Sequence, residues 1–381
     1  MRFLHSDGTL VHAAYCTNVH QAEDLDGVLG QLGRFAEPVR EALDVPVLGL
    51  GLWLSCDVAH ALAGDASLTA RLRAELAARG LEVVTLNAFP YRGFHDPVVK
   101  QAVYHPDWTD RRRLDYTLDA ATVLAGLLPG DAVRGSVSTL PLAWRDPWDT
   151  DRARRAELLL GELAAGLGEL ERRTGRTVRV GLEPEPGCVV ETTTDAVRHL
   201  GFLDPERVGI CLDVCHLAVQ FEEPAAALAR LDAAGLPVVK TQASCALHVE
   251  DPGDPAAREV LAAFHEPRFL HQTRRSGTGT DDLDEALGGL DGGAPWRVHF
   301  HLPLHAEPAA PLASTRSVLG EALDVLLGGP AAQVDHVEVE TYTWQVLPHP
   351  PGDDAALVAG LAAELDWTRS RLTGLGLKEI R

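Results

Sequence analysis

The run Val208-Gly-Ile-Cys-Leu-Asp213 is apolar until its last residue, where it stops on a carboxylate, and His216 follows three positions later. A short apolar run of this kind fits a strand buried on both faces. A buried carboxylate without a partner costs roughly several kcal/mol, so an acidic strand end needs a reason. Three other runs share the pattern: Val178-Arg-Val-Gly-Leu-Glu183, Val238-Val-Lys-Thr-Gln242 and His336-Val-Glu-Val-Glu340. Four such ends on successive strands of one parallel sheet would converge on a divalent cation.

Outward from these runs, strand-like segments alternate with Ala/Leu/Arg/Glu-rich helical patterns. Earlier strands are expected at His12–Asn18, Val47–Ser55, Leu81–Asn87 and Gly135–Leu140. Helical spacing is expected from about Leu25 to Leu43, through Leu68–Ala78, over Asp151–Thr174, over Pro224–Ala234 and over Ser317–Leu327. Arg79-Gly80 reads as a helix stop. Repeated βαβ units need a parallel sheet, so the fold class is α/β, a (β/α)8 TIM barrel. Active sites of that fold sit at the C-terminal strand ends, where the polar residues lie here. The chain reads as one domain over residues 1–381 with an insertion at about 245–303 over the C-terminal face. Arg268–Thr273 and Trp296–Pro303 are two further strand candidates, which makes ten for eight positions. The sequence leaves open which of 238–244, 268–273 and 296–303 is barrel strand seven.

Composition narrows the function classes. The chain has 381 residues, is 46% hydrophobic and carries a formal net charge of -21. An acidic chain gains nothing from phosphate backbones, so nucleic acid is excluded as an expected partner. No apolar run suits a signal peptide, and none reaches the roughly 18 residues of a membrane span. A cytoplasmic protein without direct membrane insertion is the expectation. Six cysteines, at 16, 56, 188, 211, 215 and 245, are too sparse for a disulfide scaffold and read as buried packing residues.

Glu183, Asp213, Gln242 and Glu340 offer three anionic oxygens and one neutral carbonyl oxygen. Oxygen-rich sets suit Mg2+ or Mn2+, and added imidazole shifts preference toward Zn2+, Co2+ or Fe2+. A cation there would polarise a carbonyl substrate, and a carboxylate beside it, Glu183 or Glu340, would move a proton between neighbouring carbons. Each residue also has a plain structural reading. Glu183 could be a salt-bridged barrel residue, Asp213 a helix cap, Gln242 a hydrogen-bonding core residue, and Glu340 a partner of Lys240 or an arginine. Glu185, flanked by Pro184 and Pro186, is read as already in the loop.

His216, His271, His299 and His301 are the histidines expected near the barrel mouth. His299-x-His301 places two imidazoles on one strand face, as substrate contacts or a second metal site. Asn18, Asn87, Tyr91 and His95 are candidate substrate contacts on the early strand ends. Gly277-Thr-Gly279 lacks the context of a phosphate loop and reads as a turn.

Leu182-Glu-Pro184, Leu212-Asp-Val-Cys-His216, Lys240-Thr-Gln242 and Val339-Glu340 resemble, in order, the metal-ligand series of the xylose isomerase-like barrel superfamily. A more specific resemblance spans nearly the whole chain. Tyr15-Cys-Thr-Asn-Val-His20, Gly51-Leu-Trp-Leu-Ser55, Thr85-Leu-Asn-Ala-Phe-Pro-Tyr91, Ser138-Thr-Leu-Pro-Leu142, Val298-His-Phe-His-Leu-Pro-Leu-His305 and Val337-Glu-Val-Glu-Thr-Tyr-Thr-Trp344 look like the EboE family. That resemblance implies metabolite traffic: a small-molecule metabolite, other Ebo-cluster proteins as partners, and movement of a secondary-metabolite precursor toward export. It also implies a divalent metal, Mg, Mn, Co or Zn. Two departures stand against a plain sugar isomerase: Gln242 where many relatives have His, and the long segment from Cys245 to Pro303. Three activities stay open: a metal-dependent isomerase or epimerase on a hydroxy-carbonyl or polyol-derived compound, a lyase or hydrolase on the same scaffold, and a non-catalytic metabolite carrier.

Overall fold

The computed structural model describes residues 1–380. Eight strands form the barrel: β1 (Leu10–Cys16), β2 (Leu48–Trp53), β3 (Leu81–Asn87), β4 (Arg134–Thr139), β5 (Thr177–Leu182), β6 (Val208–Asp213), β7 (Val238–Ala243) and β8 (His336–Val339). Each pairs in parallel with the next. The pairing of β8 with β1, Val337 opposite Ala13, closes the circle. Closure removes the unpaired edges that an open sheet would expose. A short antiparallel pair, Arg2–Leu4 with Lys378–Ile380, extends from the start of β1 at the opposite end from the site.

The crossovers are helices, and several of their starts are fixed by acidic caps. Asp149 accepts from the Arg152 backbone at the start of Thr150–Thr174, and Gly175 ends that helix in the left-handed region at φ 69°. Asp353 caps Asp354–Gly374 in the same way through Ala356. The stretch expected to be helical from Leu25 to Leu43 is two α-helices, Leu25–Gln31 and Glu37–Ala42, joined through a π-turn at Leu32–Ala36.

Of the strand candidates left open by the sequence, Val238–Ala243 is the barrel strand, since it lies between β6 and β8. Trp296–Val298 instead joins a second, five-stranded antiparallel sheet with Leu247–Val249, Thr273–Arg275, Thr278–Thr280 and Ala313–Ser314. Arg268–Gln272 is loop, and only Thr273 of that candidate is in a strand. The second sheet runs eleven residues past Pro303, to Ser314. It is held against the C-terminal strand ends by Leu302 N donating to Cys245 O at 2.9 Å and Thr315 N donating to Ala246 O at 2.9 Å.

A long loop after β3 covers the same face. Buried Arg113 fastens it, donating to the carbonyls of Ala88 (2.8 Å), Phe89 (2.9 Å) and Pro106 (2.8 Å). The backbone N–H groups of Val99 and Lys100 both donate to Arg268 O, at 2.8 Å each, which joins this loop to the insertion.

Apolar side chains normally fill such barrels in layers. Here part of the interior is charged. Lys240 and Glu338 form a fully buried ion pair one residue pair below the strand ends. Gly51 makes room for it, because a Cβ there would lie 1.3 Å from Glu338 Oε1.

Candidate functional site

The C-terminal ends of β5, β6 and β8 bring Glu183, Asp213 and Glu340 together. One oxygen from each lies within 4.8 Å of the others, and all three residues are buried. Asp213 serves two purposes. Its Oδ1 caps the next helix, accepting from His216 N at 2.9 Å and Ser244 Oγ at 2.9 Å, while its buried Oδ2 has no hydrogen-bond partner. Glu183 Oε2 is likewise buried and unpartnered. Glu340 does not pair with Lys240, whose partner is Glu338. Its Oε1 accepts from Asn18 Nδ2 at 2.7 Å and Asn87 Nδ2 at 2.8 Å. Asn18 and Asn87 line the cavity and orient that carboxylate.

Gln242 is fully buried and pairs in register with Asp213 across β6 and β7. Neither its Oε1 nor its Nε2 has a hydrogen-bond partner. Buried polar groups normally find one, so the strand ends carry orphaned acceptors on Glu183, Asp213 and Gln242. Burial pushes the carboxyl of Glu183 well above the ordinary carboxylate range, and the charges of Glu340 and Asp213 add to it. Burial and Asp213 do the same to Glu340. Like charges crowded this closely resist joint ionisation. A divalent cation would relieve both the repulsion and the orphaned oxygens, and the donor set fits one.

A second group lies beside the first. His216, His299, His301 and Glu185 line the same cavity. Glu185 was expected in the loop, and it is there, but its side chain is buried and turned inward. Its Oε1 accepts from Tyr104 Oη at 2.8 Å, and its Oε2 lies 3.0 Å from His216 Nε2. The prolines on either side mark the turn and give no sign of the side chain's direction. Burial lowers the pKa of His216 to about 4 and that of His299 well below the usual imidazole value. His301 is lowered too, by burial.

His271 is a correction. It is fully buried, but Nδ1 contacts His299 O at 2.9 Å and Nε2 contacts Glu266 Oε1 at 2.9 Å. Both nitrogens are committed, and the residue does not line the cavity. Tyr91 is also outside the cavity lining, and His95 Nε2 meets Asn18 O at 2.8 Å. All six cysteines are buried and free. Cys215 alone among them comes within reach of His299 and His301.

Above the polar floor the cavity wall is apolar. Phe89 and Phe94 come from the loop after β3, Phe269 from the insertion, and Tyr342 from the turn after β8. Phe94, Phe269 and Tyr342 pack edge to face or tilted, with ring centroids 4.9–5.4 Å apart. Lys100 lines the rim and is paired with Asp282.

An eight-stranded closed parallel barrel with a polar cavity at its C-terminal strand ends is a TIM barrel. The chain belongs to the xylose isomerase-like TIM barrel family, whose pattern matches residues 51–291. Solved structures agree on the fold. An L-ribulose 3-epimerase superposes with a TM-score of 0.52 at 12% identity, covering 96% of this chain and 95% of the other. A xylose isomerase-like barrel protein from Mycobacterium smegmatis, in complex with magnesium, gives 0.51 at 14% identity, covering 96% and 97%. A D-allulose 3-epimerase from Methylomonas sp., in complex with D-allulose, gives 0.50 at 12% identity, covering 95% and 97%. No curated protein matches the chain in sequence. Among the described residues no helix is long and apolar enough to cross a membrane.

Proposed function

We propose that this chain is a metal-dependent isomerase or epimerase acting on a small hydroxy-carbonyl or polyol-derived metabolite. Its setting is the EboE-like one, in which a secondary-metabolite precursor is processed or passed toward export. The observation that carries the reading is the convergence of Glu183, Asp213 and Glu340 within 4.8 Å, with two of their oxygens buried and unpartnered. Glu183, Asp213, Gln242 and Glu340 would hold the cation, drawn from Mg, Mn, Co or Zn. When bound, it supplies Lewis-acid polarisation of a substrate carbonyl.

The chain's own residues do the rest. Glu340 is held in place by Asn18 and Asn87, so its carboxylate stays fixed as substrate enters. Glu183 has an oxygen free of any donor, which leaves it open to take up and return a proton. One carboxylate removes the proton from the carbon beside the carbonyl, and the other returns a proton to the neighbouring carbon or the opposite face. The Phe94, Phe269 and Tyr342 rim lines the cavity mouth and would limit water access to that exchange.

The test is solvent exchange. Metal-loaded protein is incubated in D2O with a ketose panel including D-fructose and D-allulose, and deuterium at the carbon beside the carbonyl is read by NMR. The expected result is exchange for at least one member, lost in Glu183→Gln and Glu340→Gln. The aromatic rim would serve a carrier equally well. Saturable binding of a ketose without exchange in the wild type would overturn the enzyme reading in favour of the carrier.

A further inference from the structure

Glu364 stands midway along the helix Asp354–Gly374, fully buried, and it does not line the strand-end cavity. A buried carboxylate is costly unless its oxygens are satisfied. Three neutral donors from two other segments satisfy this one. Its Oε1 accepts from Leu304 N at 3.0 Å and from Thr341 Oγ1 at 2.6 Å, and its Oε2 accepts from Trp344 Nε1 at 2.9 Å. A backbone N–H and an indole N–H can only donate, so both oxygens are committed as acceptors. Gly360 lies one turn earlier on the same helix face. A Cβ there would come within 2.4 Å of Trp344 Cη2. Glycine weakens a helix interior, and here it opens the notch in which the indole sits.

The three donors belong to two walls of the cavity. Leu304 follows the stretch of the insertion that carries His299 and His301 into it. Trp344 belongs to the turn Tyr342–Val346, whose Tyr342 stands in the aromatic rim, and Thr341 leads into that turn. The walls meet at Tyr342. Its ring centroid lies 4.7 Å from that of His301, and its Oη lies 3.5 Å from His299 Nε2. Two smaller contacts reinforce the meeting. Thr343 Oγ1 donates to His301 O, and the His305 ring lies nearly parallel to the Trp344 indole, with centroids 6.1 Å apart. The Glu340 carboxylate is held separately, by Asn18 and Asn87.

We infer that Glu364 is a positioning residue: from outside the cavity it clamps the turn after β8 to the insertion, and so sets where Tyr342 stands against His299 and His301. Gly360 shapes the seat that lets one helix do this. The inference rests on the cavity being the working site, as proposed above, and concerns how its wall is held. Because Glu340 has its own supports, the clamp bears on how substrate fits and leaves proton transfer to the strand ends. It also gives the last helix and the long insertion a shared task at the mouth of the barrel.

Hydrogen exchange read by mass spectrometry tests the clamp with neither metal nor substrate. Labelling is done well above about pH 7, the value to which burial lifts the Glu364 carboxyl. In Glu364→Ala, peptides over 299–304 and 341–346 should exchange about 10- to 100-fold faster together, as expected when hydrogen bonds to a charged acceptor are lost, with the barrel strands unchanged. Glu364→Gln keeps an oxygen for Leu304 and Thr341 but turns an amide N–H toward the indole. It should therefore speed 341–346 and restore 299–304. Trp344→Phe, which keeps the carboxylate, should do the same, and these two variants decide the matter if Glu364→Ala does not fold. Faster exchange confined to the helix 354–374, or spread evenly over the barrel, or no change at all, would overturn the inference. Any ketose that shows solvent exchange in wild type then gives a second reading. Glu364→Gln should raise its KM about tenfold and leave kcat near wild type, and an unchanged KM in a variant with a loosened turn would break the link to the site. Absence of turnover in wild type would count against the enzyme reading alone, since the hydrogen-exchange result decides the clamp.

Discussion

Asn18 and Asn87 reach Glu340 from the ends of the first and third strands, each with its amide nitrogen on the same oxygen. Groups that orient a ligand carboxylate typically change metal affinity by about 10- to 100-fold when removed. Asn87→Ala is therefore expected to weaken cation binding by about that factor while leaving the circular dichroism spectrum unchanged, and calorimetric titration would show it. An unchanged dissociation constant would mean that Glu340 is not a ligand. Protonation gives a second test. Glu183 and Glu340 have pKa values raised well above the ordinary carboxylate range, chiefly by burial. A carboxyl raised in the fold contributes stability below its unfolded pKa and loses that contribution as pH rises through the raised value. The metal-free protein should therefore lose stability as pH rises above the ordinary carboxylate range. Cation uptake should release protons and tighten over the same window. Calorimetry in buffers of different ionisation enthalpy reads the proton count, and uptake without proton release would contradict the raised carboxyls. At this scale the convergence of Glu183, Asp213 and Glu340 was legible, because a polar residue closing an apolar run is conspicuous. Glu185 was not, since a glutamate between prolines shows no direction.

Lys240 on β7 and Glu338 on β8 pair across two adjacent strands. Both are fully buried, and Gly51 on β2 leaves the space the carboxylate fills. Removing one partner of such a pair strands the other charge, at a cost of about 3–5 kcal/mol, whereas replacing both with apolar groups is often neutral. Lys240→Met should lower unfolding stability by about that amount, and Lys240→Met with Glu338→Leu should recover most of it. Equal losses in the single and double variants, measured by chemical denaturation, would show that the pair is not what the interior depends on. The strands themselves were largely readable, since β3 and β6 match the expected runs residue for residue. The insertion was less so. Trp296–Val298 has the same apolar alternation as a barrel strand. What distinguishes it is its antiparallel partners, Thr273–Arg275 and Leu247–Val249, which no local pattern records.

The whole molecule is a closed barrel whose C-terminal face is walled by two long segments, the loop after β3 and the insertion after β7, tied together at Arg268. The barrel follows from eight buried runs spaced by helices, which is why its class was visible in the sequence. The wall depends on contacts between segments more than 150 residues apart, such as Lys100 with Asp282, and sequence spacing carries no trace of these. The account rests on a cation held where the strands end. The most direct test is the metal content of purified protein after loading with Mn2+ and dialysis, for wild type beside Glu183→Gln and Glu340→Gln. The account predicts bound manganese in wild type and its loss in both variants. Wild-type protein that retains no metal under any loading condition, or variants that retain as much as wild type, would contradict it.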